Sequence, residues 1–351
     1  MVSAWLPYLS AIVGGLIALL IGSRGMPIGR RLGLLDYPDR DGGRKRHERV
    51  TPLVGGVAVL AALSAATALT LVLADIGMPA IRHLGWLLAA SLAIGGIGMV
   101  DDRLQLSATS RLSTAVAGLA IMMLSAPDFG LDFIRFTGQD RLMLLGSWGT
   151  LFALLCLVGL LNAVNMADGK NGLVIGLSII WTLLLLLRAP AYLQPVLAAL
   201  LAALAVLFCF NMAGRLFLGD GGSYALSTML GLSAIYIYNH DFAAWRADGV
   251  ALLFAIPVFD TIRLMTVRAA RRQSPFTPDR NHLHHHLAYG WGWPQGLVIY
   301  LGLVLVPNLL AILWPDATLW LLLASLVTYA AALWISDRKY PVDLHARDFR
   351  L

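Results

Sequence analysis

Six stretches of this 351-residue chain carry side chains able to do chemistry. Asp101 and Asp102 stand side by side in GMVDDR, Asn165, Asp168 and Asn171 fall within NAVNMADGKNGL, and Asp220 lies between glycines in FLGDGGS. Adjacent carboxylates repel unless they share a cation or a proton. Asp101–Asp102 therefore reads as a seat for a metal, a proton or a cationic group, or else as a solvated helix end beside Arg103. The amide and carboxylate oxygens of NAVNMADGKNGL suit Mg²⁺, which takes one or two protein oxygens together with waters and substrate phosphates. The same Asp-Gly and Asn-Gly pairs also make ordinary turns. In FLGDGGS, backbone N–H groups at a glycine-rich helix start can hold an anion while Asp220 holds a cation beside it. Phe217, taken alone, reads as core packing.

The other three stretches are basic or rich in imidazole. SPFTPDRNHLHHHL holds four of the eight histidines, His282, His284, His285 and His286, with Arg280 beside them. Imidazoles can ligate a transition metal, bind phosphate when protonated, or coat an exposed loop. No thiolate or HExxH accompanies them, and Arg271, Arg272 and Arg280 favour an anion. Asp260 and Arg263 precede this loop in PVFDTIR. RKRHERVTPLVGG brings Lys45 and His47, which can form an unspecific patch for anionic lipid heads or, with Gly55 and Gly56 just downstream, part of a more specific site. Together these stretches supply carboxylates for Mg²⁺ and basic groups for phosphates, the requirements of phosphoryl transfer.

What must position them is a membrane. Apolar residues make up 58% of the chain and charged residues 13%, about half the charged share of soluble domains. Eleven apolar runs predict transmembrane helices near 4–23, 53–74, 84–100, 111–126, 147–164, 172–188, 192–212, 221–238, 249–269, 294–314 and 317–336. The fold expected is an all-α polytopic membrane protein forming one domain over 1–351, its first run a retained span. Alternating sides puts 21 of the 26 Lys and Arg on one face, which the positive-inside rule makes cytoplasmic. The N-terminus is then periplasmic and the C-terminus cytoplasmic. All the motifs fall on the cytoplasmic side, in loops and inner helix ends. The two cysteines, Cys156 and Cys209, read as small core residues. The +6 net charge serves orientation, and no nucleic-acid partner is expected.

Read in order, the motifs resemble the polyprenyl-phosphate N-acetylhexosamine-1-phosphate transferases (glycosyl transferase family 4) from about Leu35 to Leu287. RKRHERVTPLVGG and SPFTPDRNHLHHHL resemble the bacterial N-acetylglucosaminyl branch more than the phospho-MurNAc-pentapeptide branch. The resemblance implies attack of undecaprenyl phosphate on a UDP-N-acetylhexosamine, GlcNAc foremost, with UMP released, as the first membrane step of a cell-surface glycan in the bacterial inner membrane. It implies Mg²⁺, replaceable by Mn²⁺, on Asp220 and Asn165, with catalysis by Asp101, Asp102 and Asp168. Phe217 would stack on uracil, Lys45 and Asn171 would hold the nucleotide, and Asp168 would assist them. His47, Arg280, His282, His284, His285 and His286 would bind phosphate or sugar, supported by Asp260 and Arg263. Asn171 departs from the family's usual second Asp in the DGxDG element, which removes a charge there and leaves the sugar open (GalNAc or a 6-deoxy-HexNAc are alternatives). Homodimers are common in the family. The rival from another class is an ion-coupled transporter, which intramembrane carboxylates often mark, although here the ionisable groups gather at one face. A metalloprotein built on the histidines is a further rival.

Overall fold

The centre of the bundle is a helix of modest hydropathy, α9 (Gly219–Asp241), whose residues 221–238 are all buried. Its Gly, Ser and Ala positions let other helices approach closely, the usual solution where lipid leaves no hydrophobic drive between helices. The computed structural model describes residues 2–38, 49–274 and 281–339. Around α9 pack α3 (Gly55–Leu73), α4 (Met78–Leu104), α6 (Gly149–Ala167) and α7 (Leu173–Leu186). An outer group joins α1 (Leu6–Ser23), followed by the short α2 (Gly25–Leu32), to α3 and α8 (Gln194–Met212), while α5 (Ala108–Ser125) lies between α4 and α6. On the other flank, α10 (Ala247–Ala270) holds α12 (Gln295–Leu313) and α13 (Thr318–Lys339), with α11 (Leu283–Trp291) between the last two.

Each of the eleven apolar runs coincides with a helix, and nine helical segments among the described residues are long and apolar enough to cross a membrane. The chain is a multi-pass, essentially all-helical membrane protein. The two runs outside that set differ in kind: α7 has only 14 residues, and α9, at 23 residues, is too polar and is shielded by protein instead. Two antiparallel pairs of two-residue strands qualify the all-α expectation. They are β1 (Leu35–Asp36) with β2 (Thr51–Pro52), and β3 (Phe133–Ile134) with β4 (Met143–Leu144). The first pair closes the loop that carries RKRH.

Two local expectations are corrected. Cys156 and Cys209 are exposed on the bundle surface, because an apolar run does not distinguish a core-facing from a lipid-facing position. The histidine stretch is also not all loop. His282 caps α11, and His284 to His286 lie within it. Leu283 and Leu287, one turn apart and fully buried, give that segment an apolar face to dock.

Pro257 inside α10 shows how a broken ladder is repaired. Proline has no N–H for the carbonyl four residues earlier, and that carbonyl, of Leu253, accepts the Trp181 Nε1–H at 2.7 Å. Trp181 is fully buried and stands edge-on to Phe254 at 5.0 Å. Trp181→Phe keeps most of the packing and removes the donor, so it is expected to destabilise by about 1–3 kcal/mol. A lowered melting temperature of the detergent-purified protein would register the loss.

Candidate active site

The site begins where the backbones of α3, α4 and α9 touch. A Cβ on Gly98 would lie 2.4 Å from the Asp220 carbonyl oxygen, and one on Gly56 would lie 2.5 Å from the Gly222 nitrogen. Main chain leaves no room for either, so these glycines set how closely α9 starts against its neighbours. Asp102 then caps α9 from α4. Its Oδ1 accepts the Asp220 N–H at 2.9 Å, and its Oδ2 accepts the Gly221 N–H at 3.0 Å. A carboxylate at this position satisfies two of the otherwise unpaired first-turn donors and meets the positive end of the helix dipole.

Asp220 is thereby held at the mouth of the bundle. Asn165 of α6 donates from Nδ2 to its Oδ1 at 2.7 Å, and Arg111 of α5 donates to its Oδ2 at 3.3 Å. The same Arg111 nitrogen reaches Asp101 Oδ2 at 2.9 Å, while Asp101 Oδ1 accepts the Leu106 N–H at 2.7 Å. Four helices thus bring three carboxylates, an amide and a guanidinium together. Accessibility separates the partners. The side chains of Asp220 and Arg111 are 29% and 31% exposed, against 4% for Asp101. Only the first two of these three can readily meet a ligand.

Asp168 ends α6, where its φ and ψ of −75° and 47° leave the helix. Burial, aided by the charge of Asp102, pushes its carboxyl up to about 7 from 3.8. The unfolded chain releases this proton first, so the group's contribution to stability is complete below about pH 4 and is lost as pH rises through about 7. Melting temperature is therefore expected to fall over that window in metal-free protein, and Asp168→Asn should flatten the profile. An unchanged slope would remove Asp168 as the titrating group.

The next turn meets the histidines. A Cβ on Gly169 would lie 2.6 Å from His284 Nε2, so the imidazole lies against the Asp168–Gly169 turn. His284 is 1% exposed, and neither ring nitrogen has a hydrogen-bond partner among the described residues. Burial, then the neighbouring His285 and His282, holds its pKa well below the usual histidine value, which keeps the ring neutral. Buried polar atoms without partners are costly, and a neutral imidazole has one donor and one acceptor nitrogen to offer a ligand.

A buried polar knot fixes α11 in place. Asp260 accepts Arg263 Nη2 at 3.0 Å, the Tyr329 hydroxyl at 2.8 Å and the Leu283 N–H at 3.2 Å, and pairs with His282 Nδ1 at 2.9 Å. Arg263 also donates from Nε to the Tyr329 oxygen at 2.8 Å and from Nη2 to the Asn281 carbonyl. A carboxylate on Nδ1 sets the tautomer and leaves Nε2 for other work. His286 has both ring nitrogens engaged, with Asn281 Oδ1 at 2.7 Å and Asp337 Oδ1 at 2.7 Å. Burial lowers its pKa and the Asp337 charge opposes that shift.

Other expected residues fall into place around these. The Phe217 N–H donates to the Pro52 carbonyl at 2.9 Å and its carbonyl accepts the Gly55 N–H at 3.1 Å, joining FLGDGGS to the end of the first loop. The Asn171 carbonyl accepts Trp293 Nε1–H at 2.9 Å, which ties the α6–α7 turn to the segment before α12. Lys45, His47 and Arg280 lie outside the described residues.

Sequence reasoning missed four contributors. Arg111 was only an orientation charge at the start of a span. Asn211, in the apolar stretch FCFNMAG, joins two loops by accepting the Gly172 N–H at 2.6 Å and donating to the Leu216 carbonyl at 2.9 Å. Tyr329 and Asp337 lie on α13, distant in sequence from every motif. A lone polar residue in an apolar run was the one available signal for Asn211.

Asp220 and Asn165 are a hard-oxygen donor pair of the kind Mg²⁺ accepts with waters and phosphates. Among the described residues, no group of three or more His, Cys, Asp or Glu is arranged around a metal.

A family model, glycosyl transferase family 4, matches residues 84–238. The chain is 30% identical over 274 residues to the undecaprenyl-phosphate alpha-N-acetylglucosaminyl 1-phosphate transferase of Escherichia coli O157:H7, covering 74% of this chain and 70% of that one. The chain belongs to glycosyl transferase family 4. It is also 28% identical over 317 residues to the probable undecaprenyl-phosphate N-acetylglucosaminyl 1-phosphate transferase of Bacillus subtilis (strain 168), covering 88% and 85% of the two chains. With the Yersinia pestis undecaprenyl-phosphate alpha-N-acetylglucosaminyl 1-phosphate transferase the identity is 32% over 279 residues, 73% of this chain and 69% of that one. The glycosyl transferase family 4 match includes Asp101, Asp102, Arg111, Asn165, Asp168 and Asp220, whereas α11 and its Asp260 anchor lie beyond it.

Proposed function

We propose that this family member transfers N-acetylglucosamine 1-phosphate from UDP-N-acetylglucosamine to undecaprenyl phosphate and releases UMP, as the first membrane step of a bacterial cell-surface glycan. The observation that carries the reading is the Asp220–Asn165–Arg111–Asp101 cluster, in a chain similar along most of its length to transferases named for that reaction. The eleven helices that coincide with the apolar runs span the inner membrane in this reading, with the N-terminus periplasmic, the C-terminus cytoplasmic and the cluster facing the cytoplasm, in a homodimer.

Asp220 and Asn165 would hold Mg²⁺, or Mn²⁺ in its place. The ion supplies neutralisation of the diphosphate charge and polarisation of its oxygens. Phe217 stacks on the uracil, with Lys45 and Asn171 holding the nucleotide. His47, Arg280, His282, His284 and His285 bind phosphate or sugar, and Asp260, Arg263 and His286, whose two ring nitrogens are held by Asn281 and Asp337, brace them. Arg111, half-open to solvent and already bridging two carboxylates, is suited to meet the acceptor phosphate. One of that phosphate's oxygens forms a bond to the donor's β-phosphorus as the bond from that phosphorus to the UMP oxygen breaks. A phosphomonoester with a second pKa near 6 is mostly dianionic at pH 7, so no strong base is required. Asp101 and Asp102 orient the acceptor through Arg111 and the start of α9, one of the two takes any last proton, and Asp168 helps hold the donor's nucleoside or phosphates.

UMP release by purified protein given undecaprenyl phosphate, Mg²⁺ and a panel of UDP-sugars tests the proposal. Release that needs lipid, metal and UDP-N-acetylglucosamine is expected. Release with UDP-N-acetylgalactosamine, a UDP-6-deoxy-N-acetylhexosamine or UDP-MurNAc-pentapeptide alone would reassign the donor. Folded protein that turns over none of them would overturn the reaction.

A further inference from the structure

At the opposite end of the bundle lies a cavity of about 240 Å³ with no part in this chemistry. Gly249, on its wall, is about 16 Å along α10 from Asp260 at 1.5 Å per residue. The walls come from the ends of α7 and α12, the start of α13 and the α9–α10 turn, and their polar side chains are unusual in two ways. Two arginines, Arg188 and Arg246, line the cavity, and neither side chain makes a hydrogen bond or ion pair among the described residues. Arg188 lies 5.5 Å from the Trp245 ring centre, a cation–π contact that fixes the guanidinium without using its N–H donors. Asn308, 7% exposed, donates both its hydrogen bonds to helix carbonyls, at 2.8 Å to Val304 and 3.3 Å to Leu252, and its own oxygen accepts none.

Two partly buried guanidiniums with free donors are costly unless something accepts from them. Phosphate oxygens are the best match to the fork of an arginine. Acidic groups stand nearby as well. Asp316 is exposed on the rim, and Asp241 acts electrostatically on Arg188. Apart from Thr137 and Thr318 the remaining wall is mostly apolar, with Leu184, Leu253 and Ile312, and lies beside the exposed Leu313 and Trp314, a composition typical of a membrane interface. We propose that this cavity binds the phosphodiester headgroup of a membrane lipid, its phosphate on Arg188 and Arg246 and its acyl chains along the apolar side. Asp316 is placed to meet an ammonium on the same headgroup. The proposal is independent of the transferase reading.

The test is thermal stabilisation of the purified full chain, delipidated in a non-phosphate detergent, titrated with short-chain phosphatidylethanolamine, short-chain phosphatidylglycerol or inorganic phosphate. Saturable stabilisation by the lipids is expected, weakened about tenfold or more in Arg246→Gln and further in the double variant with Arg188→Gln, as loss of charge-assisted contacts requires. Equal stabilisation by inorganic phosphate through the same arginines would support the phosphate contact and overturn the lipid as its source. No saturable shift, or the same shift in wild type and variants, would overturn the site altogether. Arg246 packs on no ring among the described residues, so Arg246→Gln carries the test if the Arg188 variant melts early. Arg246→Lys, which keeps the charge, should retain part of the effect.

Discussion

Asp220→Ala is expected to abolish measurable UMP release, a loss of about a thousandfold or more, while the protein stays folded. The size follows from what the carboxylate does. It is the more exposed of the two carboxylates that Arg111 bridges, it touches Asn165 and Arg111 at once, and it is the proposed metal ligand. Removing one preorganised hydrogen-bond donor from an oxyanion hole costs about 10²–10³ in rate, and in the proposed reaction a cation's ligand would go as well. Stability should change little. Asp102 caps α9 through backbone N–H groups that alanine retains, and Arg111 keeps Asp101. Stabilisation of the protein by UDP-sugar with Mg²⁺ should disappear together with turnover. A variant with wild-type activity would remove Asp220 from the metal site, and one that melts far below wild type would make its role structural.

The second large effect is expected at a residue that need not touch substrate. Asp260→Ala deletes the acceptor shared by Arg263, Tyr329, His282 and the Leu283 N–H. Breaking a buried ion pair by removing one partner costs about 3–5 kcal/mol, because the other charge stays buried alone. Arg263 is 20% exposed, so the lower part of that range applies. The loss should fall on α11 first, since His282 and Leu283 begin it. Hydrogen exchange is expected to rise over residues 281–291 more than over α4 or α9, with UMP release lost alongside. Tyr329→Phe removes the hydroxyl that donates to Asp260 and accepts from Arg263 Nε but leaves the ion pair, so it should give a fraction of the effect. Uniform destabilisation without a local rise over α11 would mean that Asp260 holds the bundle rather than the histidine helix.

The helices that coincide with the eleven apolar runs, and the clustering of the motifs, were legible in the chain because burial in lipid or in protein writes itself into composition: a span needs about 20 apolar residues, and an aspartate in or beside one stands out. Asp101, Asp102, Asn165, Asp168 and Asp220 were visible for that reason, as was the family that their order resembles. Composition says nothing, however, about which neighbour a residue will meet. Arg111 looks like any orientation charge until α5 brings it between Asp101 and Asp220, and Tyr329 and Asp337 matter only because α13 packs beside α10 and α11. Asp102, legible as a carboxylate, is seen to cap α9 only once Gly98 and Gly56 have let the backbones touch. The sequence by itself determined a membrane-embedded helical protein with its polar chemistry gathered in a few motifs, since hydropathy and residue type are local properties. The tertiary structure alone decided which oxygen faces which nitrogen, since hydrogen bonds and ion pairs depend on distances of about 3 Å between residues far apart in the chain.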